Sequence, residues 1–395
     1  MSAGKALNIL LIAPHPFYQD RGTPIAVDLL LRVLAGDGHR VDVCTFPEGE
    51  TRSYPGVTIH RARPWGGVAD VGPGFSLKKL YTDVFLFFLV RRLCRRGDYD
   101  VVHCIEEAGF FGWFLEARYS VPYIYDMDSV LSDQLIESRS WMAPLRPVFR
   151  ALEGRVVRGA CVVAPMCQAV VDRVQDYLSS EVVLLKDVSL LEDDDRDAAE
   201  DLRASLGIEG PLVMYIGNLE RYQGIELLVS AFARAVETEP GSLVIIGGKA
   251  GHIQQYRQQA ERLGIADRVH LVGPRPVDRL GEYLRQADVL VSPRIKGTNT
   301  PMKIYSYLHS GVVLLATDLP THTQVLNDEI AELAAPEVEP FGRALGALLG
   351  DRERRLDKGR RAAEYARREH SLESFRRSVR DLYSRVRGKC RKAGN

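Results

Sequence analysis

The feature that most constrains this chain is a rhythm that occurs twice. Short continuous apolar runs alternate with stretches of helical length, stop once, and resume. Residues 7–13 are an apolar run ending at Pro14, residues 25–35 are a helical stretch closed by Gly38, and residues 41–46 are a second apolar run. A short run that is apolar on both faces suits a strand buried in a parallel sheet. A helix is the usual way to bring the chain back for the next parallel strand. Further runs stand at 57–60, 101–105, 123–125, 161–164 and 183–185, with helical stretches at 77–95 and 145–158. The rhythm breaks at Glu192-Asp193-Asp194-Asp195, which reads as an acidic linker. It restarts with runs at 212–216, 243–246, 269–272, 289–292 and 312–316, separated by helical stretches at 225–236, 253–263, 280–285 and 302–309. The expected fold is therefore α/β, with two Rossmann-like domains over residues 1–190 and 197–365 and a basic helical tail over 366–395. A length of 395 residues suits two domains.

Charge and cysteine usage remove other classes. Lys plus Arg and Asp plus Glu are 52 each, so net charge selects no polyanionic partner and nucleic acid is not expected. The balance is uneven locally. From Arg352 onward sixteen basic residues face six acidic ones, an excess of ten. That excess suits either a solvated helix or attraction to an anionic membrane or a polyanionic substrate. The six cysteines, Cys44, Cys94, Cys104, Cys161, Cys167 and Cys390, form no CxxC pair, and no histidine lies at zinc spacing. A reducing, cytoplasmic setting without a disulfide framework or metal site is expected. The polar start leads directly into a strand pattern, which is not a signal peptide. The longest apolar run is 84–90, far short of the roughly 20 residues that a membrane span needs.

In open α/β sheets, ligands bind beyond the carboxyl ends of strands, so the strand-to-helix junctions carry the functional signal. The junction Tyr215-Ile216-Gly217-Asn218-Leu219 runs to Gly224 before a helix. Glycine there permits close backbone approach to a phosphate, or simply a turn. The junction Arg294-Ile295-Lys296-Gly297-Thr298-Asn299-Thr300-Pro301-Met302-Lys303 is more informative. Thr300 suits an N-cap and Pro301 the first helical position. An open helix end ringed by Arg294, Lys296 and Lys303 would make a diphosphate site.

The segment from Gly297 to Tyr307, followed by Gly311, resembles the sugar-nucleotide segment of family 4 glycosyltransferases. Gly217-Asn218-Leu219 with Gly224 resembles their phosphate loop. The order of Ile245-Ile246-Gly247-Gly248, Leu271-Val272-Gly273 and Ser292-Pro293 is similar to theirs, as are the Gly22 junction and Gly38-His39-Arg40-Val41. The resemblance spans nearly the whole chain. It implies a GT-B fold, with the two domains facing each other across a cleft and the tail packing back on the first. It also implies a retaining, metal-independent transferase that uses a nucleotide-diphosphate sugar and no cofactor.

The chain departs from that pattern at four positions. The family's two glutamates align with Thr298, which would face the sugar, and Ser306, which would face the ribose. Its phosphate-loop arginine and lysine align with Asn218 and Gln223. Lys303, with Arg294 or Arg221, would supply the missing charge. Gly22, Gly217, Asn218, Gln223, Arg294, Asn299, Lys303 and Ser306 are thus the expected donor-binding residues. The resemblance places His103, Asp128 and Thr298 as catalytic candidates. His103 ends a strand, and Asp128 stands where relatives show histidine. A structural, satisfied His103 and a helix-capping Asp128 are the alternatives. The Asp126-Met127-Asp128 triplet also has the spacing of a metal motif in single-Rossmann glycosyltransferases, which the surrounding pattern does not fit.

The helical stretch 77–95 has Lys78-Lys79 at its start, an apolar middle and Arg91, Arg92, Arg95 and Arg96 at its end. It reads either as a core helix or as a peripheral contact with the inner face of a membrane, where a lipid-linked acceptor would be met. The resulting expectation is a transferase acting on a glycan, lipid-linked or small-molecule acceptor. The alternative is a non-catalytic binding or scaffold protein of the same fold; a sugar-nucleotide epimerase fits the Gly297–Tyr307 segment less well.

Overall fold

A computed structural model describes residues 6–19, 22–67, 71, 76–191, 200–297 and 300–393. The expected acidic linker at 192–195 lies outside the described residues. The chain divides into two compact units, one comprising residues 1–186 and 375–395 and the other residues 187–374.

In the first unit the order is β1 (Asn8–Ala13), α1 (Gly22–Gly36), β2 (Arg40–Thr45), β3 (Val57–Arg61), α2 (Leu77–Cys94), β4 (Val101–Ile105), α3 (Gly109–Tyr119), β5 (Tyr123–Met127), α4 (Leu131–Ser138), α5 (Arg146–Gly159), β6 (Val162–Pro165), α6 (Gln168–Val174) and β7 (Glu181–Val182). The strands form one sheet in the order β3-β2-β1-β4-β5-β6-β7. Every pairing in it is parallel. Ile9 to Ala13 are wholly buried, as are Val101 to Cys104, which explains the uninterrupted apolar runs.

In the second unit the order is α7 (Leu202–Leu206), β8 (Leu212–Ile216), α8 (Ile225–Ala235), β9 (Ser242–Ile246), α9 (Ala250–Arg262), β10 (Val269–Gly273), α10 (Leu280–Leu284), β11 (Val289–Ser292), α11 (Lys303–His309), β12 (Val313–Thr317), α12 (Pro320–Thr323), β13 (Glu332–Ala334), α13 (Val338–Gly350) and α14 (Arg352–Glu369). Its sheet, β10-β9-β8-β11-β12-β13, is also parallel throughout. The final helix, α15 (Leu372–Ala393), lies within the first unit from Phe375 onward. Two doubly wound parallel sheets are the fold the sequence rhythm implies. No helix among the described residues is long and apolar enough to cross a membrane.

The differences have local causes. The strand expected at 183–185 is Glu181–Val182, although Leu185 still donates its N–H to the Pro165 carbonyl. Helix α3 is absent from the sequence reading because Gly109 and Gly112 weaken helical propensity. Both glycines are needed there. A Cβ on Gly112 would lie 2.6 Å from Cys104 Sγ, so the helix can approach β4 and β5 closely only without one. The crossing back to the first unit falls at 374/375 instead of 366. His370 holds the segment to the second unit: Nδ1 bonds the Asp187 carbonyl, and the ring stands 4.6 Å from that of Tyr305.

Candidate active site

In each sheet the strand order reverses once, between β1 and β4 in the first unit and between β8 and β11 in the second. Such a reversal opens a crevice at the carboxyl edge, because the flanking helices leave to opposite faces.

In the second unit that crevice is bounded by the loops after β8 and β11. The first loop is built on interlocked glycines. Gly217 has φ +152°, and its N–H donates to the Ile246 carbonyl at 3.0 Å. Gly224, at φ +72°, caps α8, and a Cβ there would lie 1.9 Å from the Pro293 carbonyl oxygen. Only glycine permits both that backbone conformation and that approach. The two loops are thereby held against each other.

Lys303, the first residue of α11, reaches into this crevice. Its Nζ lies 3.8 Å from the centroid of the Tyr215 ring and 3.4 Å from Gln223 Oε1. A Cβ on Gly217 would be 3.4 Å from the same nitrogen. Lys303 has no ion-pair partner among the described residues. Burial, and then the positive charge of Arg294, hold its ammonium well below the usual lysine range. The Arg294 guanidinium stands 5.2 Å from the Tyr222 ring, and its Nε donates to the Lys296 carbonyl. Burial lowers its pKa as well. Lys303 and Arg294, held close together among aromatic faces and glycine backbone, make this crevice strongly cationic.

Beneath the site His322 is buried and shares contacts with Ser292 Oγ at 2.9 Å and Thr317 Oγ1 at 3.0 Å. Desolvation pushes its pKa down to about 4, with Lys303 and Arg294 acting in the same direction. It is therefore neutral near pH 7 and adds no third charge.

Gly217, Gln223, Arg294 and Lys303 thus come together as the sequence suggested. Asn218 is on the same loop but exposed, and its Oδ1 accepts the Glu220 N–H at 3.3 Å, which shapes the turn. Thr298 and Asn299 lie outside the described residues. Helix α11 begins at Lys303, not at Pro301, with Met302 as its cap residue. Thr300 does not cap it, because its Oγ1 accepts from Gln324 Nε2 at 2.7 Å. Ser306 is fully buried, and its Oγ accepts the Leu190 N–H at 3.0 Å. That bond fixes the chain entering the second unit. Tyr215, Tyr222 and His322 had no signal in spacing, because each acts through a neighbour distant in sequence.

The first unit treats its expected residues differently. His103 is wholly buried between Tyr383 Oη at 2.9 Å and Asp126 Oδ2 at 3.2 Å, so it ties α15 to β4 and β5. This is the geometry of the structural alternative. Asp128 is half-buried and accepts from Thr23 Oγ1 at 3.2 Å. Gly22 is the first residue of α1, beside Thr23, and not part of a loop. Asp126 and Asp128 therefore have different partners. No three His, Cys, Asp or Glu side chains among the described residues are grouped to hold a metal.

The crevice between β1 and β4 contains a charged cluster that the sequence only hinted at with two adjacent glutamates. Glu106 directly follows β4 with φ +49°, an uncommon backbone for a residue with a side chain. Burial, then Glu107, raises its carboxyl pKa. Lys79 Nζ meets Glu107 Oε1 at 2.5 Å, and burial pushes Asp83 up to about 8.

Comparison with known proteins gives this geometry a context. Residues 21–184 match the model described as "Glycosyl transferase 4-like domain", and residues 210–351 match that described as "Glycosyl transferases group 1". A D-inositol 3-phosphate glycosyltransferase of Nocardia farcinica is 29% identical over 335 residues, covering 79% of this chain and 72% of its own. One of Corynebacterium efficiens is 26% identical over 368 residues, covering 85% and 83%. Among solved structures, sucrose-phosphate synthase from Thermosynechococcus elongatus is similar with a TM-score of 0.76 at 20% identity, over 97% of this chain and 100% of that one. Anabaena HepE in complex with UDP has a TM-score of 0.73 at 18% identity, over 96% and 100%.

Proposed function

The chain belongs to the group 1, family 4 glycosyltransferases, and we propose that it transfers a hexosyl unit from a nucleoside-diphosphate sugar with retention and without a metal. The observation that carries the donor site is Lys303, a cation beside the Gly217 backbone with Arg294 near it and no carboxylate paired to it. In the transfer the bond from the sugar's anomeric carbon to the phosphate oxygen breaks, a bond to the acceptor oxygen forms, and the acceptor hydroxyl's proton passes to the departing diphosphate oxygen. Negative charge grows on the departing diphosphate. Lys303 and Arg294, already fixed in place, stabilise that charge without reorganising. An incoming diphosphate also raises the lowered Lys303 pKa, because an opposite charge favours the ammonium.

Charge at Lys303 compensates for the family cations replaced by Asn218 and Gln223, and Gln223 orients the ammonium through Oε1. The 3.4 Å separation is loose enough to tighten when a phosphate arrives. Thr298 and Asn299 complete the sugar-facing loop on this reading. The bound UDP in the Anabaena relative makes a uridine donor the first choice for testing.

Acceptor chemistry belongs to the first unit. Asp128 with Thr23, and the Glu106–Glu107 cluster, are the polar groups at its crevice. The acceptor is a glycan, a lipid-linked or a small-molecule acceptor, and the protein works in the cytoplasm with peripheral contact to the membrane. The test is release of nucleoside diphosphate from UDP-, GDP- and ADP-sugars in EDTA, with a panel of these acceptors. Turnover of one donor in EDTA supports the reading. Turnover only after manganese or magnesium is restored overturns metal independence, and donor binding without any turnover favours a non-catalytic role.

A further inference from the structure

The exposed face of α2 is unusual for a helix beside a parallel sheet. Leu77, Tyr81, Val84 and Phe88 follow one another at helical spacing, and they are 78%, 40%, 47% and 57% exposed. Arg92 and Arg95 continue the same face. The surrounding surface is also aromatic. Trp65 is 84% exposed and receives the Tyr81 hydroxyl on its carbonyl at 3.0 Å. Phe87 packs edge-on against Phe88, Phe111 and Phe114, and Phe114 is itself exposed. A contiguous apolar surface of this kind marks an interaction site.

Beside the stripe, between β3 and α2, is a cavity of about 540 Å³. Its floor is Phe85, Phe88 and Leu89, and its polar wall includes His60, Arg63 and Arg92. Arg61, also in the wall, already donates to the Glu48 and Glu50 carbonyls. His60, in the wall, is engaged by Asp42 at 2.7 Å, and Asp42 also accepts from Tyr99 Oη at 2.7 Å. Arg63 and Arg92 are exposed and have no ion-pair partner among the described residues. Two unpaired guanidinium groups over an aromatic floor, opening onto an apolar stripe, match an anion attached to hydrocarbon.

We propose that the first unit docks on an anionic membrane surface, with the α2 stripe entering the headgroup layer and the His60–Arg63–Arg92 cavity receiving a lipid phosphate. This rests on the peripheral contact included in the proposed function and gives it a location and a lipid class. The occupant is a lipid and not a protein helix because apolar and cationic surface occur together here. A partner helix would need acidic residues aligned with the cavity, whereas every anionic phospholipid carries its phosphate above its own chains.

Flotation of the full-length chain with phosphatidylcholine vesicles, with and without phosphatidylglycerol, tests this without requiring transferase activity. The wild type is expected to float with the anionic vesicles and not with the neutral ones. Arg63→Glu with Arg92→Glu should lower binding by at least about tenfold, since each basic residue near such a surface contributes roughly a fivefold factor. Val84→Ser with Phe88→Ser, both at exposed positions, should abolish it. Each double variant should retain the wild-type melting temperature and UDP affinity. Wild type that floats with neither vesicle, or equally with both, overturns the proposal. So does sedimentation showing a dimer that Val84→Ser with Phe88→Ser dissociates, because the stripe would then bind a second copy. Loss of transferase activity with intact flotation would instead count against the proposed function alone.

Discussion

Replacing Lys303 with methionine separates the charge of this side chain from its bulk. Nζ rests 3.8 Å from the Tyr215 ring centroid and 3.4 Å from Gln223 Oε1, close to the charge of Arg294. Its pKa in the folded chain is therefore below that in the unfolded chain. Between that lowered value and about 10.4 the unfolded chain carries one more proton, so stability rises with pH across the window. At neutral pH the charge works against folding, and Lys303→Met should leave the protein as stable as wild type or more so. Donor binding should move the other way. One charge-assisted contact to phosphate contributes about 1.5–3 kcal/mol. At about 1.4 kcal/mol per tenfold, UDP should bind roughly 10- to 150-fold more weakly. Calorimetric titration with UDP and a thermal melt measure both effects. Unchanged UDP affinity with a lowered melting temperature would refute the reasoning, for Lys303 would then be a structural prop.

Three further outcomes follow from the same contacts. Gly224→Ala forces a Cβ to 1.9 Å from the Pro293 carbonyl at φ +72°, and denaturant titration should show a loss of at least about 2 kcal/mol. His322 has a folded-state pKa of about 4 against 6.5, so its contribution is complete above pH 6.5 and is lost as pH falls toward 4. That loss is about 3 kcal/mol at most, and it should vanish from the pH–stability profile of His322→Gln. Tyr383→Phe removes the hydroxyl that meets His103, and should cost about 1 kcal/mol in denaturant while leaving UDP affinity unchanged.

The central strands were legible because both faces of each are buried, so nearly every residue is apolar. Leu212 to Tyr215 in β8 and Val289 to Val291 in β11 are examples, wholly enclosed. Lys303 was legible because the family cations are missing from Asn218 and Gln223, which leaves a diphosphate with too little positive charge. The roles of other residues depend on partners far along the chain. His103 meets a tyrosine 280 residues away, and Ser306 meets a backbone N–H 116 residues away. Nothing near either residue reports those bonds. Thr300-Pro301 has the local chemistry of a helix start, yet Gln324 claims the hydroxyl and the helix begins at Lys303. Edge elements were also hard to read. Strand β13, Glu332–Ala334, is three residues long and only its last residue is buried, so it carries no apolar run.

The central claim is that the crevice between β8 and β11 binds a nucleoside diphosphate. Photo-crosslinking with azido analogues of UDP, GDP and ADP, followed by peptide mapping, tests it most directly. The account predicts stoichiometric labelling by one analogue, on peptides containing Gly217 to Gln223 or Arg294 to Lys303, suppressed by the unmodified nucleotide and weakened in Lys303→Met. Labelling confined to the first unit, or no competed labelling by any of the three, would contradict it.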